Sequence, residues 1–491
     1  MTPDQHYSLA VAILGSLLSL LLPRRFAIVP LAISIILYPS TLLVPPKNLS
    51  LTAQRYIAMV LFLRCIVQSS IRSRFKWRWP DTAAMIYFGL ITVSMLLALP
   101  KADMVINNRG GFFLSALLPY FCVRFLIVDR PSLYAALSGW LWSAVPLAIL
   151  GVYQMYTGDS PYFKILQYSQ FWVRAPNSKW DMRPVFGEMA YRASGPIFGF
   201  IMFGWYFALW IAPATNLFFK KRNIFPWIIA YGALPVGVLT SIASGPWMMM
   251  MFSAGLSALF PFRRFWKPAV LTLAAMWLAL IVGANRTPME FMAMFGKDQS
   301  SSWYRVGLQN FTLNGGGMNG HWVTGYGEIP APYNDSFHDL CIHWVWLLVI
   351  HGFMGIVGFY GFVAACSWSM WRARSLSKKL EDHWLLWSLL ATLCASILGM
   401  LLVTLFSEVY FIYHMFLAIL ANSDIIIKSG LKDEGGGRGF DVAGLRQVGV
   451  LVEQNGQKVL LRYTLRPGQR LALVQPPSQP QPQPQKEEQP A

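Results

Sequence analysis

The sequence predicts an all-α polytopic membrane protein with about 12–13 transmembrane helices, two long extramembranous loops and a small C-terminal β-rich segment. Of its 491 residues, 55% are hydrophobic and only 13% are charged, whereas soluble domains carry about 25% charged residues. Apolar runs near or above the roughly 18 residues that cross a bilayer recur from Tyr7 to Ile427. This pattern excludes a secreted enzyme, a soluble nucleotide-binding fold and a receptor with a single membrane anchor.

The apolar runs define a transmembrane domain over residues 1–428. The first run follows a start without basic residues, so we expect it to be retained rather than cleaved as a signal peptide. The third run contains Arg55 and Arg64, which are costly in hydrocarbon unless they face the helix bundle or reach the membrane surface. The spans are expected near residues 7–22, 26–44, 51–68, 82–99, 111–128, 133–153, 195–215, 224–242, 246–262, 268–284, 340–365, 384–406 and 409–427.

Positive charge is concentrated in alternate loops. Lys and Arg total 40 against 22 Asp and Glu, and the surplus lies in short clusters that orient helices and meet anionic lipid, so no nucleic acid partner is expected. Enrichment of these residues marks the cytoplasmic side. The two long polar loops, about residues 154–194 and 285–339, then face the opposite side, and loops of such length are normally functional. The clusters are Arg24/Arg25, residues 72–78, Arg124/Arg130, and residues 220–222, 263–267 and 372–379.

The composition changes after Ile427. The runs VGVLVEQ and QKVLLRYTL alternate apolar and polar residues around Asn455-Gly456, which predicts a β-hairpin with a type I′ turn. A third run, RLALVQ, would complete a three-stranded meander within a cytoplasmic segment at residues 429–475. Residues 476–491 are rich in Pro and Gln and are expected to be disordered.

The first long loop ends in YRASGPIFG, which places Arg192 before a helix predicted to begin with Gly195-Pro196. A helix N-terminus together with a guanidinium group makes a binding site for a phosphate. The alternative is that Arg192 anchors a helix end to lipid phosphate. Upstream, Arg174 and Arg183 belong to a basic stretch that suits either steering of an anionic substrate or a solvated surface.

The second long loop carries three polar motifs. Arg305 follows Tyr304 in SSWYRVG, far from any predicted helix end, so helix anchoring explains it less well. Aromatic side chains such as Tyr304 suit stacking on sugar faces or an interfacial aromatic belt. The remaining candidate residues are Tyr326 in Gly-Tyr-Gly, Asp335 and His338 in YNDSFHD, and then Asp339 and His343.

No metal site or cofactor is expected from the sequence. Four of the seven histidines fall between His321 and His351, but no Cys or carboxylate spacing accompanies them. The five cysteines lie in or beside apolar segments without paired spacing, which indicates buried thiols rather than a disulfide framework.

The order of these motifs resembles the O-antigen ligase/polymerase superfamily, which contains Wzy-type polysaccharide polymerases and the WaaL-like lipopolysaccharide ligases. The resemblance rests on an Arg-x-x-Gly-Pro element, an Arg upstream of a Gly-aromatic-Gly turn, an Asn-Asp-Ser-x-His cluster and the segment HGFMGIVGF. It covers roughly Tyr191 to Phe359. In that family, periplasmic arginines hold a lipid-diphosphate-linked glycan and a loop histidine activates the acceptor hydroxyl.

The resemblance implies that Arg192 and Arg305 bind the diphosphate and that His338 is the general base. The family spacing before Gly-x-x-Gly leaves His343 or Asp339 as alternatives for the base. The implied protein is a multi-pass glycosyltransferase of the bacterial inner membrane. It would join undecaprenyl-diphosphate-linked repeat units of an exopolysaccharide or O-antigen at the periplasmic face, by inverting transfer without a metal.

Two other functions remain open. A ligase would use the same chemistry to transfer a finished glycan to lipid A core or to a protein. A transporter or flippase of lipid-linked sugar should carry mid-span charges and internal repeats, and this sequence has few such charges after residue 130 and no clear repeat. The expected partners are the lipid-linked oligosaccharide, membrane lipids and, through the C-terminal segment, a chain-length regulator or another assembly protein.

Overall fold

The fold was obtained as a computed structural model and is mostly helical. Contacts divide the chain into two units, Met1–Lys428 and Ser429–Ala491. The structure describes residues 3–45, 51–99, 101–163, 182–185, 187–197, 199–220, 225–265, 275, 278–279, 283, 288–294, 299–314, 316–337, 339–435, 446–454 and 457–465.

The helices of the first unit follow the apolar runs, and shorter helices occupy the second long loop. They are α1 (Pro3–Leu21), α2 (Val29–Leu37), α3 (Ala53–Val67), α4 (Ser69–Arg72), α5 (Trp79–Ala98), α6 (Ala102–Phe112), α7 (Leu118–Leu126), α8 (Arg130–Thr157), α9 (Phe200–Ala214), α10 (Phe225–Thr240), α11 (Ser244–Ala258), α12 (Pro288–Met294), α13 (Gln299–Leu313), α14 (Ala331–Ser336), α15 (His343–Leu376), α16 (Leu380–Leu402) and α17 (Ser407–Gly435).

Within the described ranges, six helices are long and apolar enough to cross a membrane, so the chain is a multi-pass membrane protein. Helix α17 contributes a span with 94% of its apolar window buried, which makes it the central helix of the bundle. Two further apolar helices, α1 and α10, are shorter. The six spans are Trp79–Ala98, Arg130–Thr157, Phe200–Phe218, His343–Leu376, Leu380–Leu402 and Glu408–Gly430.

Several of the expected spans are not matched by a described helix long enough to cross a membrane, and α3 and α11 have only 15 residues each. The run at 26–44 forms only the nine-residue helix α2, because the chain becomes extended at Tyr38, and Pro39 disfavours a helical residue before it. Most of the run at 268–284 lies outside the described residues. The run at 111–128 is longer than expected, since α6 begins at Ala102 and continues through a π-helical turn, Phe113–Leu117, into α7.

The arginines of the third span face protein groups, as their cost in hydrocarbon requires. Arg64 donates from Nη1 to the carbonyl of Leu22 at 2.8 Å and so satisfies the end of α1. Arg55 donates from Nε to the Ser115 hydroxyl at 3.0 Å, in the π-helical turn.

Ion pairs join the basic loops at one end of the bundle, which we call the basic end. Helices α5, α8 and α16 begin there, so their last residues, Ala98, Thr157 and Leu402, lie at the opposite end, called the loop end. The pairs at the basic end are Arg24–Asp129, Arg78–Asp424, Arg124–Asp81 and Arg130–Asp382.

Helix α15 is broken near the loop end. Gly352 adopts φ 61° and ψ −160°, a conformation that only glycine tolerates readily, and separates a short half-helix from a long one. The segment 322–327 restores the lost hydrogen bonds. Tyr326 N–H and Gly327 N–H donate to the carbonyls of Val349 and Ile350, and the Trp322 carbonyl accepts from Phe353 at 2.7 Å.

Two hairpins complete the described structure. Strands β1 (Met182–Val185) and β2 (Glu188–Tyr191) pair antiparallel within the first long loop. In the second unit, β3 (Arg446–Gln454) pairs antiparallel with β4 (Gln457–Leu465), and the register brackets the Asn-Gly pair as predicted. The third predicted strand lies outside the described residues.

Candidate functional site

Arg305 satisfies a helix end at the loop end of the bundle. It lies on α13 and donates from Nε to the carbonyl of Leu402, the last residue of α16, at 2.8 Å. Its Nη1 group donates to the carbonyl and hydroxyl oxygens of Ser301, each at 2.7 Å. The expectation that Arg305 stands away from helix ends was therefore wrong, because the loop folds into a helix that packs beside the terminus of α16.

Tyr304 fixes the segment that follows the Asn-Asp-Ser motif. Its hydroxyl donates to the Asp339 carbonyl and accepts from the Asp339 N–H, both at 2.9 Å. Its ring packs edge-on against Phe337, with centroids 5.6 Å apart. Residues 304 and 305 on one helix therefore hold this segment close to the Arg305 guanidinium.

Asp339 is exposed, yet part of its hydration is lost where it packs beside Tyr304 and Arg305. The loss raises the pKa of the Asp339 carboxyl above its ordinary value, and the charge of Arg305 opposes the rise without cancelling it. The charge of Arg305 thus acts on Asp339 at the loop end, and this acid binds a proton more readily than a fully solvated aspartate.

His343 is enclosed rather than presented to the loops. It begins α15, is fully buried, and accepts the Leu405 N–H at Nδ1 over 3.4 Å. The Phe359 ring packs edge-on against it at 4.8 Å, and the Trp346 ring lies parallel at 5.9 Å. Within the described part of the chain, its Nε2 atom makes no hydrogen bond.

Arg192 lies above the start of α9. Its guanidinium stacks over the Phe200 ring, 3.2 Å from the centroid. The predicted helix start at Gly195-Pro196 was wrong, because α9 begins at Phe200. Gly195 and Gly199 both have positive φ, so the chain turns twice before the helix starts.

The turn before α9 already has acceptors for its N–H groups. Gln154 Oε1 accepts from Ser194 N–H at 3.1 Å and from Gly195 N–H at 3.0 Å. The Ala193 N–H donates to the Thr240 carbonyl at the end of α10. These N–H groups are therefore not available to a phosphate, and any anion bound here would depend on the Arg192 guanidinium.

The corner between α10 and α11 contacts a neighbour of each arginine. Thr240 at one side of this corner accepts the hydrogen bond from Ala193, next to Arg192. Gly245 at the other side packs against Leu402, the residue that Arg305 binds, and a β-carbon there would lie 3.9 Å from that of Leu402. Arg192 and Arg305 thus lie at the same end of the bundle, on either side of one helix corner.

Tyr326 holds the loop against the broken helix. Besides its backbone bond to Val349, its hydroxyl donates to the Gly317 carbonyl at 2.9 Å, and its ring lies 4.2 Å from that of His321. Partial loss of hydration raises the pKa of the Tyr326 hydroxyl. Its described contacts are those of a residue that positions the loop.

The other sequence candidates are on the surface or outside the described residues. Arg183 lies on β1 opposite Ala190 and is exposed. Asp335 lies on α14 and is exposed. Arg174 and His338 lie outside the described residues, although the neighbours of His338, Phe337 and Asp339, are held by Tyr304.

A buried polar cluster between α5, α6, α15 and α17 was not predicted from the sequence. The Tyr87 and Tyr410 hydroxyls lie 2.9 Å apart, and the Ser94 hydroxyl lies 3.0 Å from His351 Nδ1. Arg109 is 7% exposed and stacks on Phe112. Its positive charge interacts electrostatically with Tyr87, Tyr410 and His351. Two of its nitrogens, Nε and Nη1, bind no described atom, and no described carboxylate pairs with it.

The sequence around Arg109 contains a polar run that resembles a loop. The sequence Asn107-Asn108-Arg109-Gly110-Gly111 interrupts the apolar run, so the span was placed from residue 111 onwards. Because the helix begins at Ala102, Arg109 lies two turns inside it and is buried.

No family model and no curated protein matches the chain. In the part of the chain that the structure describes, no group of three or more His, Cys, Asp or Glu is arranged to hold a metal ion.

Proposed function

We propose that this protein is a membrane glycosyltransferase that joins lipid-diphosphate-linked glycans, as a polysaccharide polymerase does. The observation that carries the proposal is the placement of Arg192 and Arg305 at one end of the bundle, on either side of the α10–α11 corner, with Asp339 beside Arg305. Two guanidinium groups from separate loops suit a diphosphate, because each can bind phosphate oxygens through two N–H groups.

The chemistry requires charge stabilisation and a base. The acceptor hydroxyl oxygen attacks the anomeric carbon, the bond from that carbon to the diphosphate breaks, and the configuration inverts. Negative charge develops on the departing diphosphate, where Arg192 and Arg305 would stabilise it. The proton of the acceptor would pass to the imidazole of His338, a side chain that commonly acts as a general base at neutral pH.

The structure supports Asp339 over His343 as the alternative base. Asp339 is exposed at the loop end, and its raised pKa favours proton uptake. His343 lies beneath Trp346 and Phe359 without exposure, so an acceptor sugar could not reach it without movement of these rings. The first choice remains His338, whose neighbours are fixed next to Arg305.

The orientation follows from charge. The basic end carries the Lys and Arg clusters and would face the cytoplasm of a bacterial inner membrane, which places the loop end in the periplasm. Lipid-linked oligosaccharide would then enter the site from the outer leaflet. A ligase shares this geometry and differs only in the acceptor.

The break at Gly352 is the described feature that favours a transporter, because transporters bind substrates at broken helices. In this structure, however, segment 322–327 occupies the freed backbone groups on both sides of the break. The break is therefore closed by the protein's own chain, and we rank transport below glycosyl transfer.

The test is polymer synthesis in a strain that lacks the chromosomal gene and carries plasmid variants. Arg192→Gln, Arg305→Lys and His338→Ala should each abolish polymer at unchanged protein level. Lys101→Gln, an exposed cation in the loop between α5 and α6, is the matched control and should leave polymer unchanged.

The lipid-linked product identifies the reaction. Accumulated single repeats indicate a polymerase, and long unattached chains indicate a ligase. Normal polymer from all three site variants would overturn the proposal.

A further inference from the structure

A cavity lies at the basic end of the bundle, away from the proposed glycosyltransferase site. It has a volume of about 450 Å³ and opens between the last turns of α15, the first turns of α16 and the 3₁₀ turn Phe260–Phe265. Its floor is apolar, with Leu386 and Trp387 of α16 and Met370 of α15. Nothing in the proposed transfer reaction uses it.

The rim of the cavity is cationic. Arg263 and Arg264 come from the 3₁₀ turn, Arg374 comes from α15, and His383 comes from α16. Arg263 donates to the Phe260 carbonyl at 3.3 Å, and the charges of Arg263 and Arg374 both act on His383. Three guanidiniums and an imidazole from three elements thus converge on one opening.

No carboxylate among the described residues lines the cavity. The nearest acidic residues in the sequence, Glu381 and Asp382, both interact with Arg130. The charge of Asp382 also acts on His383, but the three guanidiniums of the lining outnumber it, so the opening has a net positive charge that attracts an anion.

The apolar floor restricts the kind of anion. Leu386 and Leu390 are one helical turn apart on α16, so the floor continues from the rim along the span towards the bilayer interior. An inorganic ion would leave this floor uncovered, whereas a phospholipid would place its phosphate at the rim and an acyl chain along the floor. Basic pockets between transmembrane helices are known binding sites for lipid head groups.

We propose that this cavity binds one anionic phospholipid from the leaflet at the basic end. The phosphate interacts with Arg264 and Arg374, and Trp371 and Trp387 flank the glycerol region. The proposal is independent of the glycosyltransferase function, since it concerns the opposite end of the bundle.

The experiment is native mass spectrometry of the purified full-length protein with phosphatidylglycerol and, separately, phosphatidylcholine. The wild type should retain one phosphatidylglycerol in preference to phosphatidylcholine. In the double variant Arg264→Gln/Arg374→Gln this preference should fall about thirtyfold. Each arginine near a lipid surface contributes about 1 kcal/mol to the binding of an anionic lipid, and the variant removes two of them. Arg263 is left intact because it also binds the Phe260 carbonyl.

The matched control is Arg372→Gln/Lys378→Gln, which removes the same charge from exposed positions that do not line the cavity. The control should keep the wild-type preference, and both doubles should keep the wild-type melting temperature. Equal loss in both doubles would show a general surface attraction and overturn the site, as would equal retention of the two lipids by the wild type. Displacement of the lipid by millimolar inorganic phosphate would overturn the lipid in favour of a free ion.

Discussion

Gly325 and Gly352 cross backbone to backbone at the break in α15. A β-carbon on Gly325 would lie 2.6 Å from the nitrogen of Gly352, and one on Gly352 would lie 2.6 Å from the nitrogen of Gly325. Both residues have positive φ, 67° and 61°. This crossing lets the Gly-Tyr-Gly turn replace the hydrogen bonds that the helix loses. Because a side chain at either position would collide with the other backbone, the crossing requires glycine at both.

Gly352→Ala should destabilise the protein by at least about 2–3 kcal/mol, because alanine meets both an unfavourable backbone conformation and the opposing chain. Thermal unfolding in detergent measures the change. Gly361→Ala is the matched control on the same helix, where a β-carbon meets no described atom within 4 Å. The control should be neutral or stabilising by up to about 1 kcal/mol. Equal melting temperatures for the two variants would contradict the crossing.

Arg109→Met should leave the melting temperature unchanged or raise it, and glycan transfer by the same variant decides whether the buried charge has a function. A buried guanidinium without a carboxylate partner among the described residues is costly, and an apolar residue of similar volume removes that cost. Loss of activity with unchanged or increased stability would assign Arg109 to function. Full activity at raised stability would instead assign it no role in transfer.

The Arg124–Asp81 pair should be the costliest ion pair to break. Both side chains are at most 1% exposed and Arg124 binds Asp81 through two nitrogens at 2.6 Å. Asp81→Asn leaves a buried charge uncompensated and should cost about 3–5 kcal/mol. Arg74→Gln removes the exposed partner of Asp129, which keeps its ion pair with Arg24, and should cost less than about 1 kcal/mol. Chemical denaturation of both variants compares them, and similar losses would contradict the burial argument.

Asp339→Asn should stabilise the protein at neutral pH. Because loss of hydration raises the pKa of Asp339 in the folded state, its ionised form is disfavoured there relative to the unfolded chain. The gain should be present above the raised pKa and should disappear as the pH falls below the ordinary carboxyl pKa, where both states are protonated. Melting temperatures across this pH range measure it, with Asp335→Asn, an exposed residue on α14, as the control. A gain that grows towards acid pH would contradict the assignment.

The sequence predicted features that are encoded locally. Apolar runs predicted a multi-pass membrane protein, and the Asn-Gly pair predicted the hairpin of β3 and β4. The start of α9 was misplaced because Gln154, far away in the chain, binds the N–H groups that a local pattern assigns to a helix start.

Other features depend on contacts that local patterns do not contain. The role of Arg305 required the end of α16, nearly a hundred residues away, and the break at Gly352 required the Gly-Tyr-Gly turn. Arg109 was overlooked because the polar residues around it are typical of a loop, whereas the helix that contains them begins at Ala102. Tertiary contacts decide these positions, whereas hydropathy decides only which segments enter the membrane.

We propose that joint action of Arg192 and Arg305 on a lipid-diphosphate leaving group drives transfer. Its most direct test is turnover by purified protein in liposomes supplied with lipid-linked oligosaccharide, with released lipid diphosphate and new glycosidic bonds counted in the same sample. The wild type should release one lipid diphosphate for each bond formed, and Arg192→Gln and Arg305→Lys should lose both products together. Turnover at the wild-type rate by either variant, or no release of lipid diphosphate by the wild type, would contradict the claim.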